Sequence, residues 1–180
     1  MNLADRWHRI DSKTIGAFRI FTIREDCYQL PRNHREAPFY ILESNDWVNV
    51  IPVTEDEKVL LIRQFRFGIE EVTLEIPGGI VDSGYTPLEA GRKELLEETG
   101  YASDHWEYLG VVHPNPAFLN NRCHSFLARK AKKIAEISPE ESEEFEVLQV
   151  PMVEIKNLIR RGIISHSLVI CAFHLHQNRY

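Results

Sequence analysis

The stretch 72–100 constrains this chain more than any other, because it combines a strand, a glycine turn and a short acidic helix. Thr86 is a good N-cap for the helix, and Glu89 stands three residues later, where it completes a capping box. A proline follows the cap at the first helical position, and Gly100 suits a left-handed C-terminal stop. We therefore predict a helix from Pro87 to about Thr99.

Three glutamates of this helix share one face. Glu94, Glu97 and Glu98 stand at i, i+3 and i+4, so their carboxylates are neighbours. Like charges on adjacent turns are unfavourable unless a cation or a basic partner stands opposite them. Mg²⁺ and Mn²⁺ prefer such oxygen ligands, and Gly78 and Gly79 let the backbone come close to a ligand. A solvated acidic helix face is the alternative for this pattern alone.

Composition places the chain among ordinary globular proteins. At 180 residues, with 43% hydrophobic and 27% charged residues, it is most simply one domain with a real core. The net charge of −6 argues against broad, nonspecific binding to nucleic acid or anionic lipid. The 3 cysteines form no Cys-x-x-Cys pair, no signal peptide opens the chain, and no apolar run approaches about 18 residues. We therefore expect a cytoplasmic protein.

Hydrophobic alternation divides the rest of the chain into short strands and two further helices. Residues 1–45 form a β-rich N-terminal piece with little core of its own, which should pack on the rest of the chain or on a second copy. The predicted strands are 16–24, 27–30, 39–42, 47–53, 58–65, 106–112, 123–129 and 147–150, and the predicted helices are 153–161 and one that Ser165 or Ser167 begins.

The glycine turn and the acidic helix together resemble the Nudix box. That signature is Gly, five residues, Glu, seven residues, Arg-Glu, an aliphatic residue, any residue, Glu-Glu, any residue, Gly and an aliphatic residue. The chain matches it from Gly79 through the three glutamates to Gly100, with Tyr101 in the last apolar place. It departs at Tyr85, where the first Glu is usual, and at Lys93, where Arg is usual.

The resemblance implies an α/β fold, the Nudix α/β/α sandwich, in which a mixed β-sheet lies between helices. Residues 46–180 would form the hydrolase domain, and 1–45 a small N-terminal β-extension. It also implies a cofactor, Mg²⁺ or else Mn²⁺. Its ligands would be the backbone carbonyl of Gly78 and the carboxylates of Glu94, Glu97 and Glu98.

Two segments are similar to the ADP-ribose and nucleoside-diphosphate-sugar hydrolases of that family. One is Gln64-Phe65-Arg66, and the other is 74–79, which holds Glu75. The resemblance implies that Arg66 faces the substrate diphosphate, as bidentate guanidinium–phosphate contacts favour, and that Glu75 lies near the metal. The alternatives from the residues alone are a surface salt bridge for Arg66 and an ion pair with a nearby arginine for Glu75.

The same branch implies further site residues in two loops. A proline loop at 113–118 would place Phe118 against the sugar or base, although a buried anchor is the alternative for that residue. Trp47 is a candidate stacking platform, with core packing as its alternative. The acidic run 138–146 is usually a solvated turn when it stands alone. In this branch such a loop carries the general base, for which Glu141 is the first choice and Glu143 the second, with Glu97 as a further catalytic carboxylate.

The resemblance therefore predicts metal-dependent hydrolysis of nucleoside diphosphate sugars of the ADP-ribose or GDP-mannose type, giving a nucleoside monophosphate and a sugar phosphate. It also predicts a homodimer joined through the N-terminal strands, with no membrane and no stable nucleic-acid partner. Relatives that act on dinucleoside polyphosphates, RNA 5′ ends or nucleoside triphosphates are the alternatives within enzymes. A non-catalytic Nudix module that senses a nucleotide sugar is the alternative outside them.

Overall fold

The computed structural model describes residues 3, 6–138, 144 and 146–179. The chain divides into two compact units. The first comprises Met1–Asn45 and His113–Arg122, and the second comprises Asp46–Val112 and Cys123–Tyr180. The proline loop that follows Val112 therefore groups with the N-terminal strands, which the sequence alone does not suggest.

The first unit contains an antiparallel three-stranded sheet of β1 (His8–Ala17), β2 (Thr22–Gln29) and β3 (Glu36–Glu43). The strands pair in the order β1-β2-β3. The predicted strand 16–24 is wrong, because the chain turns at Phe18, whose N–H donates to the Phe21 carbonyl at 2.9 Å. β1 was missed because its sequence is polar and lacks clear alternation.

The central strand of this sheet carries a buried carboxylate. Asp26 has no exposed surface, and its Oδ1 accepts hydrogen bonds from Ser12 Oγ at 2.6 Å and Arg24 Nε at 2.8 Å. Burial acts to raise the pKa of Asp26, but these hydrogen bonds and the charge of Arg24 outweigh it and hold that pKa below its usual value. Paired polar groups therefore stabilise strands that carry few buried apolar side chains.

The second unit is a mixed sheet with helices on both faces. The strands are β4 (Trp47–Thr54), β5 (Lys58–Arg66), β6 (Glu71–Glu75), β7 (Gly78–Ile80), β8 (Tyr101–Ala102), β9 (His105–Val112), β10 (Cys123–Lys133) and β11 (Glu146–Pro151), and the helices are α1 (Pro87–Thr99), α2 (Met152–Arg160) and α3 (Ser167–Gln177). The strands pair in the order β11-β5-β4-β10-β8, while β6 pairs with β5, β7 with β4 and β9 with β10. β4 and β10 are parallel, whereas β4 and β5 are antiparallel.

Strand β4 supplies both layers of the core because its side chains alternate between the two faces of the sheet. Val48 and Val50 pack in a cluster that holds Ala90 and Leu95 of α1. Ile51 and Val53 pack in a second cluster with Ile155 of α2 and with Val169, Ala172 and Phe173 of α3. The α/β sandwich with a mixed sheet is thus confirmed. No helix among the described residues is long and apolar enough to cross a membrane.

The ends of the helices test the sequence predictions in detail. Helix α1 begins and ends as predicted: Thr86 and Glu89 form the capping box, and Gly100 is left-handed with φ 74°. The predicted serine cap of α3 is wrong, since His166 occupies the N-cap position and makes no capping hydrogen bond with its side chain. The His166 side chain is directed instead toward β6.

Candidate active site

The glycine turn is held against β4 by backbone pairing. Gly78 lies opposite Asn49, and Gly79 lies opposite Val48. A Cβ atom on Gly78 would lie 2.3 Å from the Val48 carbonyl oxygen and 2.6 Å from Asn49 Oδ1, so no side chain fits there. Just beyond the turn, the N–H of Val81 donates to the Asp46 carbonyl at 2.8 Å. The turn therefore has a defined position beside β4.

Two of the predicted metal-binding carboxylates meet this turn. The N–H of Gly78 donates to Oε2 of Glu98 at 3.0 Å, and Glu98 is only 3% exposed. The Glu94 carboxylate lies against the next glycine, since a Cβ atom on Gly79 would lie 2.4 Å from Glu94 Oε1. Each of these adjacent glycines therefore faces one carboxylate of α1.

The third glutamate has a basic neighbour. Lys93 Nζ lies 3.6 Å from Glu97 Oε2 and 4.0 Å from Asp82 Oδ2. Partial burial acts to lower the pKa of Lys93, but the charges of Glu97, Glu94 and Asp82 outweigh it and raise that pKa above its usual value. Lys93 therefore supplies positive charge to the acidic face from the position where the Nudix box has arginine. Tyr85, at the other departure, is 50% exposed.

The donor set at the turn fits a hard divalent cation. Across residues 6–138 and 146–179, no three His, Cys, Asp or Glu side chains form a ready-made metal cluster. Mg²⁺ commonly uses only one or two protein carboxylates and takes its remaining ligands from water and substrate phosphates. Glu94 and Glu98 at adjacent glycines meet that requirement, and their all-oxygen chemistry suits Mg²⁺ or Mn²⁺ better than a softer ion.

Arg66 and Glu75 form a bidentate ion pair at the start of the glycine turn. Arg66 Nε donates to Glu75 Oε1 at 2.7 Å, and Nη2 donates to Oε2 at 2.6 Å. Thr73 Oγ1 donates to Oε1 at 2.5 Å, and His166 Nε2 lies 3.9 Å from Oε2. The side chain of Glu75 is 3% exposed and that of Arg66 is 40% exposed, so the guanidinium is accessible while its anchor is buried.

The charge state of Glu75 follows from these contacts. Burial acts to raise its pKa, but the hydrogen bonds and charge of Arg66 and the hydroxyl of Thr73 outweigh burial and hold the pKa below its usual value. Glu75 is therefore an anion at neutral pH. The structure contains the Arg66–Glu75 ion pair that the residues alone offered as the alternative for both positions. Within this pair the Arg66 side chain has a defined orientation and is 40% exposed.

We expect Glu75→Gln to destabilise the protein by about 2 kcal/mol at pH 7, less than for a fully buried pair because Arg66 is partly exposed. The folded-state pKa of Glu75 is lowered, so its stabilising contribution is complete above the ordinary value of 4.5 and is lost as pH falls through the folded-state value. Urea unfolding of both proteins between about pH 7 and pH 3 should show the difference shrinking in acid. A difference independent of pH would contradict this electrostatic account.

The two predicted substrate-contacting aromatic residues belong to different units. Trp47 is partly buried at the start of β4, where it pairs with Ile80 beyond the glycine turn. Phe118 belongs to the other unit, is 46% exposed, and accepts a hydrogen bond from the Leu42 N–H through its carbonyl. Glu141 and Glu143, the candidate general bases, lie outside the described residues.

Sequence reasoning missed two residues of the Arg66–Glu75 environment. Thr73 stands two positions before Glu75 on the same strand, and side chains two residues apart on a strand lie on the same face of the sheet. The contact between them could therefore have been predicted from the sequence. His166 comes from the start of α3, far along the chain, and no local pattern links it to β6. Only the tertiary fold brings it there.

Comparisons with known proteins agree with this geometry. The NUDIX domain family model matches residues 45–169. An ADP-ribose pyrophosphatase of Bacillus subtilis (strain 168) is 30% identical over 156 residues, which cover 83% of this chain and 84% of the relative. A GDP-mannose pyrophosphatase of Cronobacter sakazakii is 31% identical over 159 residues, covering 82% and 83%. The solved structure of an ADP compounds hydrolase has the same fold, with a TM-score of 0.85 at 20% identity over 96% of this chain and 92% of that one.

Proposed function

This chain belongs to the Nudix family, and we propose that it hydrolyses the diphosphate bond of nucleoside diphosphate sugars of the ADP-ribose or GDP-mannose type. The observation that carries the proposal is Arg66, a partly exposed guanidinium anchored by buried Glu75 directly before the glycine turn and its two carboxylates. Anchoring of this kind suits the bidentate recognition of phosphate oxygens. Two relatives aligned over most of their length have names that state this chemistry.

Nudix hydrolases are metal-dependent, and we propose Mg²⁺ as the ion here. Glu94, Glu98 and the carbonyl of Gly78 would hold it, with Glu97 as a further carboxylate near Lys93. When bound, such a cation neutralises charge on the diphosphate and acidifies a water molecule. The buried position of Glu98 and its hydrogen bond from Gly78 N–H support this assignment, because together they couple the helix to the turn.

The protein's own groups perform the remaining steps. Arg66 binds phosphate oxygens, and its hydrogen bonds to Glu75, which Thr73 holds in turn, place the guanidinium where the diphosphate can reach it. A general base accepts the proton of the attacking water, for a contribution of roughly 10²–10⁴-fold. We assign that role to Glu141 first and Glu143 second, as the family's acidic loop implies. An ADP-ribose substrate would give AMP and ribose 5-phosphate.

Two further assignments remain part of the proposal. Trp47 and Phe118 would contact the base or the sugar, since both are aromatic and neither is fully buried. Residues 1–45 would join two copies into a homodimer. The support for the dimer is a set of large apolar side chains that this unit leaves 43–58% exposed, namely Trp7, Ile10, Ile15, Phe18, Ile20 and Tyr40.

A substrate panel with and without Mg²⁺ tests the proposal. We expect release of a nucleoside monophosphate from ADP-ribose, GDP-mannose or UDP-glucose, abolished by EDTA and restored by excess Mg²⁺. Chromatography of the products identifies the broken bond. Cleavage of diadenosine polyphosphates or nucleoside triphosphates alone would assign another substrate class. Tight binding of a nucleotide sugar without turnover would overturn the enzymatic proposal in favour of a sensor.

A further inference from the structure

The His166 imidazole is placed next to the Arg66–Glu75 pair without being bonded to it. Its Nε2 lies 3.9 Å from Glu75 Oε2, beyond hydrogen-bond distance. The ring stands at the N-cap of α3 but does not cap that helix. The residues that follow, including Val169 and Phe173, are buried in the core, so the backbone that carries His166 is firmly held. The imidazole therefore lies close to Glu75, and a small change in the side-chain torsion angles of His166 would bring Nε2 within hydrogen-bond distance of Oε2.

The side chain of His166 is 29% exposed, yet its Nδ1 atom is buried and finds no hydrogen-bond partner within the described part of the chain. Because Nδ1 has no such partner, a movement of the ring toward Glu75 breaks no hydrogen bond of that atom within the described residues. Burial and the positive charge of Arg66 lower the pKa of His166, against the opposing effect of Glu75, so the ring is neutral at pH 7. A neutral ring has one N–H, and the Glu75 carboxylate favours that proton on Nε2.

A bound diphosphate would be another anionic partner for Arg66, in addition to Glu75. In the structure, Oε2 of Glu75 accepts a hydrogen bond from Arg66 Nη2 at 2.6 Å. The guanidinium carries further N–H groups in a fixed fork besides those that Glu75 accepts from Nε and Nη2, so a diphosphate competes with Oε2 where it draws Nη2 toward itself. If Nη2 turns toward the phosphate, Oε2 of a buried carboxylate loses its donor, and that loss opposes binding.

We propose that His166 is a positioning residue for the diphosphate: its Nε2–H takes over the hydrogen bond to Glu75 Oε2 when Arg66 Nη2 turns to the substrate. The inference rests on the proposed function, because it needs a diphosphate ligand at Arg66. The imidazole has to approach by about 1 Å to reach a normal hydrogen-bond length. Thr73 keeps Oε1 satisfied throughout, so only one oxygen of Glu75 exchanges its partner.

Three substitutions at this position separate a donor role from a packing role. In the glutamine variant, the side-chain amide nitrogen can occupy the position of the histidine Nε2 atom. In the asparagine variant, the shorter side chain brings its amide nitrogen only to the position of Nδ1. Phenylalanine keeps an aromatic ring but has no hydrogen-bond donor. We expect H166F and H166N to raise KM for the preferred nucleoside diphosphate sugar roughly tenfold with kcat changed far less. We expect H166Q to stay within about twofold of the wild type. Calorimetric binding of ADP-ribose in EDTA, where no turnover occurs, measures the same differences without catalysis.

The outcomes distinguish this inference from the proposed function. A wild-type protein that neither hydrolyses nor binds any nucleoside diphosphate sugar defeats the proposed function itself. A functional wild type with all three variants unchanged, or with H166Q as weak as H166F, overturns the role of His166. Circular dichroism and thermal unfolding monitor the fold, and if H166F fails to fold, the comparison between H166Q and H166N still decides.

Discussion

Replacing Glu98 with glutamine is expected to lower kcat by about a thousandfold while the fold stays intact, because several kcal/mol of charge stabilisation depend on this carboxylate. Glu98 is 3% exposed and accepts the Gly78 N–H at 3.0 Å. Glutamine has the same shape and keeps a carbonyl oxygen for that hydrogen bond, so the glycine turn retains its position. Only the negative charge needed to hold a divalent cation is removed. Steady-state kinetics over a range of Mg²⁺ concentrations measure the loss.

The matched control is Glu89→Gln on the same helix. It removes the same charge, but Glu89 lies in the first turn, where its side chain accepts the Thr86 N–H at 2.8 Å. Glutamine also completes a capping box, so the helix is preserved. We expect kcat within about twofold of the wild type for this control. Near-normal turnover in Glu98→Gln, or an equal loss of turnover in Glu89→Gln, would contradict the assignment of Glu98 as a metal ligand.

Helix α1 was predictable from the sequence to the residue because its determinants are local. Thr86, Glu89 and Gly100 satisfy the backbone groups at its two ends within a few residues of the chain. The same locality made the spacing of its glutamates informative. The hairpin of β4 and β5 was predictable for a similar reason, since two apolar runs flank a short polar turn.

The features that the sequence did not predict depend on distant parts of the chain. β1 is polar, and it pairs with a strand whose buried Asp26 bonds to Ser12 of β1. No periodic rule anticipates a carboxylate in the interior of a sheet. Likewise, His166 meets Glu75 only because α3 packs on the sheet, and a capping rule applied to that helix selected the wrong residue. Local rules therefore located the acidic helix and left the surroundings of Arg66 undetected.

Replacing Gly79 with alanine is expected to reduce kcat/KM by about a hundredfold without a measurable loss of stability, because the added methyl group displaces a side chain rather than the backbone. The new Cβ atom would lie 2.4 Å from Glu94 Oε1 and 2.7 Å from its Cδ. The end of a glutamate side chain can swing away at little cost, but the carboxylate then leaves its place at the turn. Activity assays and thermal unfolding measure the two effects separately.

Two other glycines and one double variant provide the comparison that decides whether the effect acts through Glu94. Gly78→Ala should lose stability as well as activity, since its Cβ atom would meet the Val48 backbone oxygen at 2.3 Å. Gly68→Ala should change neither, because nothing lies within 4 Å of the added atom. In a Glu94→Gln background, Gly79→Ala should cause little further loss, since two changes that act on one carboxylate are not additive. Full additivity, or normal activity in Gly79→Ala, would show that the position of the Glu94 carboxylate does not control the reaction.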